Sequence, residues 1–251
     1  MPDTRYKFDP KTRFSSRVEN YVKYRPDYPL EIISFLKEQD IFKENYIVAD
    51  IGSGTGKLTE IFLMNGNLVY GVEPNDNMRT AAEQLLKKYS NFRSIKGSAE
   101  ETNLNSNTID LITAGQAFHW FKVNETIQEF KRILKRNGYV VLIWNNRKKS
   151  GHDFSIQYEN FILKYGTDYK EVRKNENNID DFFEYKLKTF SNYQNLNFEG
   201  LKGRLLSVSY IPQEGPHFND MLDELKELFD RNQKDGFVRI EYDTQVYYGL
   251  L

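Results

Sequence analysis

Between residues 30 and 146, short apolar runs alternate with amphipathic segments. Ile47-Val48-Ala49-Asp50-Ile51, Leu68-Val69-Tyr70-Gly71-Val72, Ile109-Asp110-Leu111-Ile112-Thr113-Ala114 and Tyr139-Val140-Val141-Leu142-Ile143-Trp144 read as strands covered on both faces. Phe92-Arg93-Ser94-Ile95 is weaker and predicts an edge strand. The intervening apolar residues recur at helical spacing. Ile32, Ile33 and Leu36 (with Phe35) make one helix face, and Leu58, Ile61 and Phe62 a second that ends at Asn65-Gly66. Met78, Ala82 and Leu85 follow the capping run Pro74-Asn75-Asp76. Ile127, Phe130, Ile133 and Leu134 run up to Asn137-Gly138. Strands alternating with such helices predict parallel βαβ units in a doubly wound α/β sheet. Its ligand belongs at the carboxyl ends of the strands.

The flanks depart from this rhythm. Residues 1–29 are polar and aromatic (Tyr6, Phe8, Phe14, Tyr21, Tyr24, Tyr28). A short helix is predicted near 14–23, broken by Tyr24-Arg25-Pro26-Asp27-Tyr28-Pro29. The segment reads as a surface arm or as a lid, with Tyr21, Arg25 and Tyr28 facing a ligand. Residues 151–235 lack buried β runs. Lys174–Asn178 reads as a loop, and Met221, Leu222, Leu225, Leu228 and Phe229 as a helix face capped by Asn219 or Asp220. Residues 236–248 alternate at period two and predict an antiparallel hairpin turning near Asp243. The expected partition is an arm over 1–29, a core from 30–149 and 236–251, and an α-rich lid insertion over 150–235.

The chain of 251 residues, 39% hydrophobic and 15% aromatic, can build a sizeable core. Its net charge of −1 gives no global attraction to nucleic acid or membrane. The absence of cysteine excludes disulfides, thiol nucleophiles and thiolate metal sites. The three histidines, His119, His152 and His217, are too scattered to suggest a metal site. No run approaches the roughly 18 apolar residues of a membrane span, and no signal-peptide core opens the chain. A cytoplasmic protein is the expectation.

Candidate chemistry begins at the turn after the first strand, Gly52-Ser53-Gly54-Thr55-Gly56. Backbone approaches a ligand closely there, and the next helix presents free N–H groups. A phosphate loop needs Gly-x-x-x-x-Gly-Lys-Ser/Thr, which this turn is too short to supply. A dinucleotide turn needs Gly-x-Gly-x-x-Gly, but Lys57 stands at the third glycine's place. The run Asp-x-Gly-x-Gly-x-Gly instead resembles motif I of class I S-adenosylmethionine (AdoMet)-dependent methyltransferases.

That resemblance covers about residues 46–146 and implies a Rossmann-like fold with AdoMet as methyl donor. It implies that Glu73, closing the second strand before Pro74, holds the ribose hydroxyls. An acid at that distance suits NAD equally, so Glu73 alone decides nothing. Met78 would pack on adenine, and Ser98 and Ala99 would meet its edge. Asp50, Gly52, Gly54 and Gln116 would surround the methionine part, with Asp50 meeting the amino group rather than acting as catalyst. The flanking Tyr-x-x-Tyr-Arg-Pro-Asp-Tyr-Pro and Ala-Phe-His-Trp-Phe segments resemble the methyltransferase-11-type, trans-aconitate-methyltransferase-like small-molecule subgroup. Tyr21 and Arg25 join the cofactor residues on this reading. His119 and Trp120 line the acceptor site, His119 serving as base for an acceptor that carries a proton. Arg147 would hold a substrate carboxylate or else be solvated. The expected function is methyl transfer to an O or N atom of a small molecule, a carboxylate among the candidates, with no metal. RNA or protein methylation, or AdoMet binding without catalysis, are the alternatives.

Overall fold

The computed structural model describes residues 18–167 and 179–251. Tyr6, Phe8, Phe14 and the Lys174–Asn178 loop lie outside the described residues. The described chain opens with α1 (Val18–Tyr24) and α2 (Glu31–Glu38), and then alternates through β1 (Ile47–Ile51), α3 (Lys57–Met64), β2 (Leu68–Val72) and α4 (Asp76–Leu86). It continues through β3 (Phe92–Ile95), β4 (Ile109–Gly115), α5 (Val123–Ile133), β5 (Leu134–Arg147) and α6 (Asp153–Tyr165). It closes with β6 (Lys186–Leu196), α7 (Phe198–Leu206), α8 (Phe218–Asn232) and β7 (Val238–Leu250).

The seven strands form one sheet in the order β3-β2-β1-β4-β5-β7-β6. β1 to β5 are mutually parallel, and β7 runs antiparallel between β5 and β6. This is the predicted doubly wound α/β architecture, with β3 on an edge. Alternate residues of one strand enter different cores, as the two-residue period requires. Val141 and Ile143 pack with Ile32, Leu36 and Phe62 on one face. Val140 and Leu142 pack with Phe130, Ile133 and Phe182 on the other. The order reverses between β1 and β4, so the loops leaving their carboxyl ends diverge and open a crevice.

Several local expectations are corrected. There is no turn near Asp243, because β7 runs unbroken from Val238 to Leu250. Asn146 faces Asp243 and Asn145 faces Thr244 in the β5–β7 register, and Lys148 pairs with Asp243 at 3.4 Å. The antiparallel partner is β6, from inside the stretch that showed no buried β run; its Lys186–Thr189 side chains are all exposed. Leu85 is exposed, and Leu86 completes the buried Met78–Ala82 face of α4. α5 ends at Ile133, and Leu134–Gly138 enter β5 through an irregular register. His217, not Asn219 or Asp220, stands at the start of α8, without a side-chain cap.

The segment after β5 builds a third core. Phe154, Phe161, Leu201, Leu205, Met221 and Phe229 from α6, α7 and α8 pack on Val238, Ile240 and Tyr242 of β7. Residues 24–28 form a strap between this helical cap and the sheet. Gln194 donates to the Tyr24 carbonyl at 3.1 Å, and Asn192 to the Asp27 carbonyl at 2.8 Å. Lys57 pairs with the Asp27 carboxylate at 2.5 Å, and Arg25 donates to the Ser207 carbonyl at 3.2 Å. The Tyr24 ring lies on Gly203 of α7, where an added Cβ would come within 2.1 Å of it.

Gly203→Ala therefore sets two effects against each other. Helix propensity favours Ala by about 1 kcal/mol, while overpacking costs about 1–3 kcal/mol. The clash reaches the base of the ring as well as its edge, so overpacking should win. Urea unfolding should show net destabilisation; equal or greater stability would mean that the strap is not seated on α7.

Candidate functional site

Two adjoining cavities open at the carboxyl ends of β1 and β4. The outer one, about 550 Å³, runs along Gly54, Glu73, Pro74, Met78, Ser98 and Ala99. The inner one, about 190 Å³, is lined among others by Arg25, Tyr28, Asp50, His119, Arg147 and Arg204. Tyr21, Gly52, Gly115, Gln116 and Trp120 border both. Every residue expected at the site thus lines one cavity or both.

The glycine turn is held open by its neighbours. Gly52 and Ser53 donate N–H bonds of 2.8 and 3.1 Å to the Val72 carbonyl at the end of β2. Gly54 has a φ of +56°, and a Cβ added there would meet nothing within 4 Å. Its bare backbone faces the cleft in a conformation that L side chains resist. The Gly54 N–H donates to Glu73 Oε2 at 2.9 Å, and the Asn75 N–H to Glu73 Oε1 at 2.8 Å. One carboxylate thus clamps the loops after β1 and β2. Burial raises the Glu73 pKa, and the two backbone donors partly oppose this. Each oxygen keeps acceptor capacity for a further donor. Asn75 caps α4 by accepting the Met78 N–H at 3.0 Å, which sets Met78 on the cavity wall. Beyond β3, Glu129 accepts from the Thr102 N–H at 2.9 Å and anchors the loop that carries Ser98 and Ala99. Ser98 Oγ accepts from the Glu101 N–H at 3.2 Å, which leaves its own O–H to donate.

Asp50 is 1% exposed and accepts from Thr59 Oγ1 at 2.6 Å and Thr113 Oγ1 at 3.1 Å. Burial outweighs both hydroxyls and pushes its pKa up to about 7. Beside it, the Thr55 hydroxyl is buried without a hydrogen-bond partner. Gln116 holds a left-handed φ of +57°, fixed by its N–H bond of 2.9 Å to the Ile143 carbonyl. This is an uncommon conformation for a residue with a side chain. A 3₁₀ turn, Phe118–Trp120, then places the His119 and Trp120 rings 4.9 Å apart. Arg147 binds Glu159 and stacks over the Tyr158 ring at 5.1 Å. It lines the inner cavity with its side chain 10% exposed, so it is not a solvated residue, and Glu159 balances its charge.

Arg204, Ser209 and Tyr210 also line the inner cavity, and the sequence reading missed them. Arg204 left a signal: it falls between Leu201 and Leu205 on the apolar face of α7. Glu100, Glu101 and Glu125 at the outer mouth were likewise missed, lying where a solvated face is the ordinary reading.

Comparison with known proteins agrees with this geometry. Residues 49–142 match the type 11 family described as a methyltransferase domain. An uncharacterized methyltransferase of Schizosaccharomyces pombe is 35% identical over 138 residues, 55% of this chain and 54% of the relative. One from Mycobacterium tuberculosis is 34% identical over 139 residues, 55% of this chain and 54% of the relative. The chain thus spans about half the length of these curated relatives. Among solved structures, a protein of Anaeromyxobacter dehalogenans provisionally assigned as a type II methyltransferase superposes with a TM-score of 0.67. It is 15% identical, with 90% of this chain and 98% of that one covered. Residues 49–142 thus match a methyltransferase domain, and the described chain shares the fold of that solved structure.

The residues present fit the donor that such a domain implies. Gly54 leaves backbone open where any side chain would intrude, and Glu73 offers free acceptor positions to a vicinal diol. The buried Thr55 hydroxyl is a polar group awaiting a partner.

Asp50 should show itself in the pH dependence of stability. Its folded pKa of about 7 lies above its ordinary 3.8, so between these values the folded state holds a proton that the unfolded state has lost. Stability then falls as pH rises through this window and is level above it. Melting curves from pH 5 to 8 should show this fall in the wild type, and Asp50→Asn should flatten it. Parallel curves for the two proteins would count against a buried, proton-holding Asp50.

Proposed function

We propose that the chain transfers a methyl group from AdoMet, its nucleoside in the outer cavity and its amino-acid end reaching Asp50 in the inner one, to an O or N atom of a small molecule that enters the rest of the inner cavity. The observation that carries this is the shared wall: Tyr21, Gly52, Gly115, Gln116 and Trp120 border both cavities, so two ligands meet there. When bound, the donor supplies a methyl carbon on a cationic sulfur, which keeps the S–C bonding pair as an acceptor lone pair forms the new bond. The protein's part is orientation and exclusion of water, and orientation alone supplies roughly 7–11 kcal/mol in well-organised cases. Glu73 receives the ribose diol, Met78 and Ala99 flank the base, Ser98 donates to its edge, and Asp50 takes the amino group. A cationic amino group beside Asp50 would draw off the proton that burial retains. His119, on the acceptor side, accepts the proton of an alcohol or amine acceptor; a carboxylate acceptor needs no base.

The inner cavity of about 190 Å³ favours a small acceptor over RNA or a protein segment. The net charge of −1 points the same way. The trans-aconitate-like subgroup, the role of residues 1–29 and 150–235 as lids, and a cytoplasmic location belong to this reading. Among the described residues, no helix is long and apolar enough to cross a membrane.

Thermal shift should show stabilisation by AdoMet and S-adenosylhomocysteine, and stabilisation by NAD alone would overturn the donor assignment. Glu73→Gln should weaken S-adenosylhomocysteine by about 10- to 100-fold in calorimetry, as loss of a charge-assisted bond to the diol implies. Unchanged affinity would remove Glu73 from the site. A radioactive methyl screen over metabolites, RNA and protein identifies the acceptor class. With that acceptor, His119→Ala should slow transfer by roughly 10²–10⁴ if His119 is the base. A loss below about threefold, with donor binding intact, would assign the ring to shaping the cavity only.

A further inference from the structure

Residues 25–28 of the strap belong to no helix or strand, so their backbone groups must find partners on other elements. The Asp27 carbonyl finds two. Asn192 Nδ2 of β6 donates to it at 2.8 Å, and Asn145 Nδ2 of β5 at 3.3 Å. Asn145 is 9% exposed and lines the inner cavity. Its Oδ1 accepts from Asn192 Nδ2 at 3.3 Å and from Oγ1 of the fully buried Thr244 at 2.5 Å. Those two donors fix the amide with its N–H toward the strap. The same residue reaches the other side of the cavity through its backbone, where its carbonyl accepts from Gln116 Nε2 at 3.2 Å. The β5–β7 ladder holds that carbonyl in place, since Asn145 faces Thr244 in the register. Gln116 borders both cavities. One residue beyond Asp27, the Tyr28 ring reaches the same wall: a Cβ added to Gly115 would fall 2.4 Å from Tyr28 Oη. Both sides of the shared wall, Gln116 and Tyr28, are thus placed from one buried residue.

We propose that Asn145 is a positioning residue for methyl transfer: its side chain holds the strap at a set distance from Gln116 and keeps the inner cavity closed where donor and acceptor meet. Alignment across that wall governs the rate of an in-line displacement. Asn145 acts through Tyr28 and Gln116 rather than on the reacting atoms. Removing its side chain leaves the buried Thr244 hydroxyl without its acceptor, which is costly for a desolvated group. It also leaves the Asp27 carbonyl to Asn192 alone, on the edge strand of the sheet. The strap then opens more often. The Glu73 clamp shares no bond with Asn145, so the outer cavity keeps its shape. This rests on the reading of the chain as an AdoMet-dependent methyltransferase.

The chain has two tryptophans, Trp120 and Trp144, and both line the inner cavity. Acrylamide quenching of tryptophan fluorescence in the full chain, without ligand, therefore reports the opening of that cavity. Asn145→Ala should raise the Stern–Volmer constant by about twofold or more. Val69→Ala, a core truncation in β2 away from both cavities, is the control. It should lower the melting temperature and leave quenching as in wild type. S-adenosylhomocysteine should bind Asn145→Ala within about threefold of wild type in calorimetry. With radioactive AdoMet and a metabolite extract, the initial rate of methyl incorporation should fall by about 10- to 100-fold. Asn192→Ala removes the other bond to Asp27 and should raise quenching in the same direction; it takes the place of Asn145→Ala should that variant fail to fold. The proposal is overturned if the variant melts lower but is quenched like wild type, for the residue would then be structural only. It is also overturned if quenching rises while incorporation is unchanged, or if S-adenosylhomocysteine weakens beyond that margin, for Asn145 would then serve the donor site. A wild type that neither binds S-adenosylhomocysteine nor incorporates methyl would instead remove the methyltransferase reading beneath the proposal.

Discussion

The site depends on one buried carboxylate. Glu73 ends β2 and accepts the N–H groups of Gly54 and Asn75. It thereby fixes the glycine turn after β1 against the start of α4. Without that clamp, the turn would have no reason to keep Gly54 at a left-handed φ facing empty space. Burial works against the charge of this carboxylate, and the two backbone dipoles that converge on it partly offset that effect. The Val72 carbonyl secures the other side of the turn through Gly52 and Ser53. The outer cavity is thus a consequence of how two adjacent parallel strands end, and its shape is set before any ligand arrives.

The inner cavity has a different origin. β5 and β7 outrun the short strands of the parallel half, and their extra length carries the helical cap of α6, α7 and α8. The strap at 24–28 closes the gap between this cap and the sheet. Its polar side chains and carbonyls are bound by Lys57, Asn192, Gln194 and Ser207, from α3, β6 and the end of α7. One cavity is therefore furnished by the matched domain, while the other draws many of its walls from outside residues 49–142.

This division explains what could be read from sequence. The strands of the parallel half are buried on both faces, so they stand out as apolar runs, and the glycine turn and Glu73 stand at their ends. β6 was hidden because it lies on the sheet edge with one side in water, and Lys186, Lys188 and Thr189 carry no apolar period. β7 was split in error because Asp243 looks like a turn residue. Nothing local in the sequence says that Asn146 and Lys148 meet it from β5 and its end. Arg204 escaped because residues 198–206 carry two cations and two glycines, and their burial depends on partners distant in the chain. Long-range pairings decide each of these cases, and a local pattern cannot encode them.

The strap also constrains the order in which the molecule can be assembled. Its bonds join residues 165, 170 and 182 positions apart in the chain. Such contacts carry a large loop-closure entropy and form late. The glycine turn and Glu73 lie only 19 positions apart and can pair early. During synthesis, the parallel half of the sheet can therefore take shape while the strap still has nothing to close upon. The inner cavity comes into being only when the last third of the chain has docked. A nascent or truncated chain would present the cavity along Gly54 and Glu73 without the second cavity beside it.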